Sequence, residues 1–118
     1  MKEEKFKVIN FIRELILLID SKMENFPKKE IELKNRIKMN SYDILEICYQ
    51  ANSTVDKEKK KELIVLIIAK IKVIDFLLNL SYDKQIINQK QYYKFGTKMD
   101  DIIKYTCGWL NSIDIQNK

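Results

Sequence analysis

Basic side chains at helical spacing are the residues of this sequence whose pattern suggests chemistry, and that chemistry is phosphate binding. They form two groups, with members spaced by two or four residues: Lys34, Arg36 and Lys38, and Lys90, Lys94 and Lys98. Like charges four residues apart are neighbours on a helix and destabilise it slightly. A basic ridge without acidic partners is therefore a candidate for binding the phosphates of nucleic acid.

The overall charge agrees with an anionic partner. The 118 residues contain 22 Lys plus Arg and 17 Asp plus Glu, which gives a net charge of +5. Such an excess favours RNA or DNA, but it also keeps small proteins in solution. A structural scaffold that acts only through protein association therefore remains the alternative.

The groups that catalysis usually needs are poorly represented. The chain has no His, the commonest general base and metal ligand. Asp100 and Asp101 are adjacent, so on a helix they point about 100° apart and do not converge. Two glycines, Gly96 and Gly108, are too sparse for a phosphate-binding loop. The sequence predicts a protein that is not an enzyme and has no cofactor and no metal site.

The cysteines and the N-terminal segment indicate a cytoplasmic protein. Cys48 and Cys107 lie far apart in apolar helical runs, which favours a reduced, buried pair over a disulfide. The first apolar run is interrupted by Arg13, Glu14 and Asp20. A signal peptide has an uninterrupted apolar segment, so an ordinary first helix is the better interpretation.

Apolar residues that recur every three or four positions predict four helices. The predicted segments are residues 5–23, 28–51, 57–82 and 89–112. Pro27 suits the first turn of the second helix, and Asp56 or Thr54 can cap the third. Asn88 with Gln91 forms a capping box before the fourth. With so little turn chemistry, the chain is predicted to be one all-α domain over residues 1–118, an antiparallel up-down-up-down four-helix bundle.

The third segment predicts an oligomer, because every position from Leu63 to Ala69 is apolar. A helix that is apolar all round must be covered on several sides, and a second subunit is the expected cover. In the fourth segment Trp109 lies on the inward stripe, and Gly108 beside it allows a close approach. The predicted interface comprises Leu63, Ile64, Val65, Ile67, Ile68, Gly108 and Trp109.

Tyrosines of the fourth segment are candidates for stacking on bases. Tyr92 lies on the apolar stripe and is predicted to be core. Tyr93 points elsewhere, so it is the better candidate for an exposed contact.

Two stretches of the chain resemble the Avd-like four-helix-bundle proteins. "FPKKEIELKNRIKMNSYDILEICYQAN" is similar to that family's second-helix region, with its Phe-Pro turn, Leu-x-x-Arg-Ile and Asp-Ile-Leu-Glu run ending in Ala. The matching residues are Phe26, Pro27, Leu33, Arg36, Ile37, Asp43, Ile44, Leu45, Glu46 and Ala51. "YDKQIINQKQYYKFGTKMDDIIKYTCGWL" looks like the family's Tyr-Asp turn, capped helix and terminal Gly-Gly-Trp-Leu, with Cys107 at the first Gly.

This resemblance has implications for assembly and partners. One branch of the family is the accessory variability determinant of diversity-generating retroelements. It is a non-enzymatic partner of the reverse transcriptase during mutagenic cDNA synthesis from template RNA. The other branch is encoded by intervening sequences in bacterial 23S ribosomal RNA genes. The resemblance implies a barrel-like homopentamer with a basic surface for nucleic acid. Here that surface is rich in Lys and poor in Arg, so phosphate would meet point charges.

Overall fold

The protein is built from four long helices. The computed structural model describes residues 2–115, with side chains described for residues 5–113. Its elements are α1 (Lys2–Met23), a 3-10 turn (Lys28–Glu30), α2 (Ile31–Ser53), α3 (Lys57–Asp83) and α4 (Gln89–Ile115). The described residues contain no strand. The predicted all-helical class with four helices is confirmed.

The second helix begins differently from the prediction. Pro27 is extended, and the turn that follows closes through a hydrogen bond of 2.9 Å from the Glu30 amide to the Pro27 carbonyl. That three-residue spacing is 3-10 geometry, so α2 starts at Ile31 and not at Lys28. α1 starts earlier than predicted, and α4 continues to Ile115.

Side-chain caps define the starts of α3 and α4. The Asp56 carboxylate accepts a hydrogen bond of 3.2 Å from the Lys59 amide. The side-chain oxygens of Asn88 and Gln91 each accept a hydrogen bond of 2.8 Å from the other residue's backbone N–H, which confirms the capping box. Thr54 is not a cap for α3, because its hydroxyl donates to the Gln50 carbonyl at 2.6 Å. Of the two proposed caps for α3, Asp56 is therefore the one used.

Each helix packs against two others in a body of 51 × 23 × 19 Å. α1 contacts α2 and α4, and α3 contacts the same two helices. The Lys70 ammonium of α3 lies 3.5 Å from the Asp43 carboxylate of α2, and Lys84, the residue after α3, lies 3.0 Å from Glu30 of the 3-10 turn. α1 is therefore flanked by α2 on one side and α4 on the other.

The core is mostly aliphatic and follows one stripe on each helix. On α1 the buried residues are Val8, Ile12, Leu15, Ile19 and Met23. Phe6, at the start of the same helix, is 56% exposed. It precedes Val8 by two positions, which turns it about 200° away from the core. Trp109 is 4% exposed, as the stripe of α4 predicts.

Several hydroxyls are buried within this core. Ser41 donates to the Lys38 carbonyl at 2.7 Å, and Ser81 donates to the Leu77 carbonyl at 2.9 Å. The Thr106 hydroxyl is buried without a hydrogen-bond partner. Unsatisfied buried hydroxyls destabilise the folded state, so Thr106 is a weak point of α4.

Candidate nucleic-acid interface

The predicted basic residues lie on the two helices that flank α1. Lys38 of α2 reaches towards α1, where its ammonium is 3.7 Å from the Asp20 carboxylate. Lys98 of α4 reaches α1 from the other side, with its ammonium 2.7 Å from Glu14. Lys34 precedes Lys38 by one helical turn, and Lys94 precedes Lys98 by one turn, so each lies on the same face of its helix as the lysine that follows it. The lysines therefore frame α1 from both flanks.

Acidic partners are present on α1, so the prediction of a ridge without them was wrong for Lys38 and Lys98. The partners were missed because they come from a different helix. Glu14 precedes Lys98 by 84 residues. The Lys98–Glu14 side chains are 30% and 48% exposed. Ion pairs at the surface contribute only about 0.2–1 kcal/mol, so a phosphate can compete with the carboxylate for this lysine.

The other residues predicted to bind phosphate differ in their exposure and in the helix face on which they lie. Lys90, Lys94 and Arg36 are exposed, and Lys34 is half-buried. Arg36 lies about 200° around α2 from Lys38. It shares a helix face with Asp43, which pairs with Lys70 of α3. The structure therefore separates Arg36 from Lys34 and Lys38, with which the sequence had grouped it.

A cluster of aromatic rings and lysines lies between α1 and α4, and the sequence reasoning missed it. The rings of Phe11 and Tyr105 stack with centroids 5.4 Å apart and an angle of 20° between their planes. The Lys7 and Lys104 ammonium groups lie 4.8 Å and 5.4 Å from the centre of the Tyr105 ring. The Lys98 ammonium lies 5.9 Å from the centre of Phe11. We call these five residues the aromatic–lysine cluster.

A weak sequence signal for this cluster existed. Phe11 and Tyr105 both fall beside the apolar stripes, and each has a lysine at helical or adjacent spacing, Lys7 and Lys104 respectively. Only the packing of α1 against α4 brings the two rings together.

The predicted oligomer interface needs correction. Ile64 and Ile67 are fully buried within the chain's own core, and Trp109 is nearly so. Their side chains have almost no surface to offer a second subunit. Leu63, Ile68 and Gly108 are half-buried, and Val65 is 50% exposed. Of the predicted set, Val65 is the residue whose side chain is open to a partner.

Exposed apolar residues nevertheless follow one face of α3. This α3 outer face consists of Val65, Leu66, Ala69, Val73 and Phe76. Leu66, Ala69, Val73 and Phe76 recur at intervals of three or four, as a helix face requires, and Val65 lies four residues before Ala69. Phe76 is 65% exposed, so the face is apolar and uncovered within the chain.

Tyr93 of α4 is exposed as predicted, whereas Tyr92, predicted to be core, lies at the edge of the core. Tyr92 is half-buried; its hydroxyl donates to Asp75 at 3.0 Å and accepts from Asn79 at 3.1 Å. Tyr93 is 74% exposed. It lies outside the aromatic–lysine cluster, which makes it a useful comparison residue.

The cysteines are both free thiols, but the prediction of a buried pair was wrong for Cys107, which is exposed on α4. Cys48 is buried on α2, and burial raises the pKa of its thiol from 9.0 to about 12. Cys48 therefore stays protonated and unreactive at neutral pH.

The part of the chain that the structure describes has neither a candidate metal site nor a candidate membrane-spanning helix. No group of three His, Cys, Asp or Glu residues in this part of the chain is placed to hold a metal ion. None of the helices described here combines the length and apolar character needed to cross a membrane.

Comparison with known proteins gave no match among family models, curated proteins or solved structures.

Proposed function

We propose that this chain is a non-catalytic accessory protein that binds RNA or DNA through the lysines around α1. The observation that carries the proposal is the convergence of Lys34 and Lys38 from α2, and of Lys94 and Lys98 from α4, on the two flanks of one helix. Lysines contact phosphate as point charges, so they suit binding to the backbone with little sequence preference. The net charge of +5 adds a long-range attraction for the same partner.

The motifs that resemble the Avd-like family support a specific biological role. On this basis the chain is a partner of a retroelement reverse transcriptase in mutagenic cDNA synthesis from template RNA. The second candidate within the family is a protein encoded by a ribosomal RNA intervening sequence. The genomic neighbourhood separates the two, because the first requires a reverse transcriptase gene with template and variable repeats nearby.

We also propose that the chain assembles with copies of itself, as an antiparallel up-down-up-down bundle whose α3 outer face is covered by a neighbour. The exposed side chains of Val65, Val73 and Phe76 support this, because apolar patches left open in a monomer mark interaction sites. The family resemblance suggests a homopentamer. A scaffold that acts only through such contacts is the alternative function.

Nucleic-acid binding is tested by titrating labelled RNA and DNA at low salt and then raising the salt concentration. We expect affinity to fall steeply, because each neutralised phosphate releases condensed counterions. Reversing two charges with Lys34→Glu and Lys94→Glu should weaken binding strongly. The matched control reverses Lys57 and Lys59 in the first turn of α3, where negative charge suits the helix dipole. Equal losses in the two variants, or no binding by the wild type, would reject the proposed surface.

Assembly is tested by light scattering and sedimentation. Val65→Lys with Phe76→Lys should dissociate the assembly while helix content is retained, because both side chains are already exposed in the single chain. The control places Lys at Leu17 and Met39, two exposed apolar residues on α1 and α2. A wild type that is monomeric at micromolar concentration contradicts the assembly. An assembly that binds no nucleic acid supports the scaffold alternative.

A further inference from the structure

We infer that the aromatic–lysine cluster is a site for single-stranded nucleic acid, in which an unpaired base stacks on the Phe11–Tyr105 pair while Lys7, Lys98 and Lys104 hold the adjacent phosphates. This inference rests on the proposed function and narrows it, since that function does not distinguish single strands from duplexes. It also locates the binding at the boundary between α1 and α4.

The two rings stack face to face, so a base would extend the stack on an outer face of the pair. They are nearly parallel, at 20°, and both are half-buried. The buried part anchors them between two helices, and the remainder faces solvent. Rings fixed in this way lose little further conformational freedom when a base packs on them.

The lysines supply the charge that such a platform needs. Three ammonium groups lie within 6 Å of one ring centre or the other. Lys7 and Lys104 are exposed, and the described residues place no carboxylate in an ion pair with either one. A cation over a ring at an exposed site is held weakly, so these side chains are free to swing onto phosphates.

The carboxylates around the cluster leave a positive balance. Among residues 5–113, Glu14 pairs with Lys98, and Asp100 and Asp101 lie on α4 one turn before Lys104 and Tyr105. Against these three acids stand the three lysines of the cluster and Lys94, one turn before Lys98.

The expected ligand is a single strand because only unpaired bases expose the faces that can stack on these rings. Bases of a duplex are stacked on each other and hidden from side chains, whereas unpaired bases can stack on aromatic rings and phosphates can follow a basic surface. Every base has a stacking face, so little sequence preference is expected.

The main test is Tyr105→Leu, which keeps an apolar side chain between the helices and removes the aromatic face. We expect affinity for a labelled oligo-uridylate to fall about 5- to 150-fold, the range typical of losing one stacked base. The salt dependence and the affinity for a duplex of the same length should stay unchanged. Tyr93→Leu is the matched control, an exposed tyrosine on the same helix outside the cluster, and should have no effect.

A second variant avoids the packed rings altogether. Lys7→Gln with Lys104→Gln changes two exposed side chains, and should reduce the slope of log affinity against log salt by about 0.7 for each lost phosphate contact. Ultraviolet cross-linking of oligo-uridylate should label the peptides that contain Phe11 or Tyr105. Oligo-thymidylate is expected to bind as well, because stacking does not require the ribose hydroxyl.

The outcomes separate this inference from the proposed function. Wild-type binding that is insensitive to both variants overturns the cluster as the site and leaves nucleic-acid binding intact. An equal loss for duplex and single strand after Tyr105→Leu, or cross-linking at Tyr93, also overturns it. No binding of any probe at low salt overturns both.

Discussion

The Glu14 carboxylate on α1 lies 2.7 Å from the Lys98 ammonium on α4, and the same ammonium lies 5.9 Å from the centre of the Phe11 ring. Lys98 is therefore shared between an acidic partner and the aromatic–lysine cluster. A phosphate that binds to Lys98 must compete with Glu14. This makes Glu14 a residue that opposes binding while adding slightly to stability.

Replacing Glu14 by Gln should therefore strengthen nucleic-acid binding. Because an exposed ion pair contributes about 0.2–1 kcal/mol, affinity for oligo-uridylate should rise by up to about 5-fold, and the free energy of unfolding should fall by no more than about 1 kcal/mol. Fluorescence anisotropy measures the first quantity and urea denaturation the second. Glu46→Gln, at an exposed position on α2, removes the same charge elsewhere. An equal rise in affinity in both variants would show that only the net charge of the protein affects binding, and not the position of Glu14.

The separation of Arg36 from the lysines around α1 gives a second prediction. Lys94→Gln should reduce the salt dependence of RNA binding by about 0.7–0.9 in the log–log slope, the amount expected for one phosphate contact. Arg36→Gln should leave the slope unchanged, because its helix face turns towards α3. Binding isotherms at several salt concentrations provide the measurement. A larger effect at Arg36 than at Lys94 would place the binding surface between α2 and α3 instead.

The buried Thr106 hydroxyl gives a prediction about stability. Thr106→Val keeps the shape of the side chain and removes a buried group that has no hydrogen-bond partner. The free energy of unfolding should therefore rise by about 1 kcal/mol. Fluorescence of the single, buried Trp109 can follow the transition. Thr97→Val on the same helix is the control, since that hydroxyl is exposed and donates to the Tyr93 carbonyl at 3.0 Å. A loss of stability at Thr106 would indicate that its hydroxyl has a partner in solution.

The raised pKa of Cys48 makes stability depend on alkaline pH. In the unfolded chain this thiol ionises above pH 9.0, whereas in the folded protein it keeps its proton up to about 12. The buried, protonated thiol therefore adds to the free energy of unfolding below pH 9.0. This stabilisation is lost as the pH rises towards 12, by about 1.4 kcal/mol for each pH unit. Cys48→Ala should flatten this part of the curve of unfolding free energy against pH. Cys107→Ala, which replaces an exposed thiol, is the control and should leave this part of the curve unchanged.

Local sequence signals predicted the helices well because they depend on near neighbours. The capping box of Asn88 and Gln91, the cap at Asp56 and the inward position of Trp109 each follow from spacing within one or two turns. The prediction that Pro27 lies in the first turn of α2 was wrong, because Pro27 is extended and a 3-10 turn separates it from Ile31. The 3-10 turn after Pro27 was missed because one hydrogen bond decides between that turn and a first α-helical turn.

The candidate site was harder to predict because it depends on contacts between helices. Nothing near Lys98 in the sequence indicates Glu14, and nothing near Phe11 indicates Tyr105. The interface prediction failed at Ile64 and Ile67 for a related reason. A run of apolar residues does not reveal which of its faces the chain itself covers, and the bundle buries these two and leaves Val65 and Phe76 outside.

The buried serines have a consequence for how the helices are held in register. Ser41 and Ser81 each donate to a carbonyl of their own helix, whereas hydrogen bonds that join different helices, such as those of Tyr42 to Asp20 at 3.1 Å and Tyr92 to Asp75 at 3.0 Å, lie at the surface. The interior therefore holds the helices together by apolar packing, while polar contacts at the surface fix the axial register of each helix against its neighbours. Surface substitutions that remove these contacts should leave a folded molecule whose helices shift in alignment or exchange between copies.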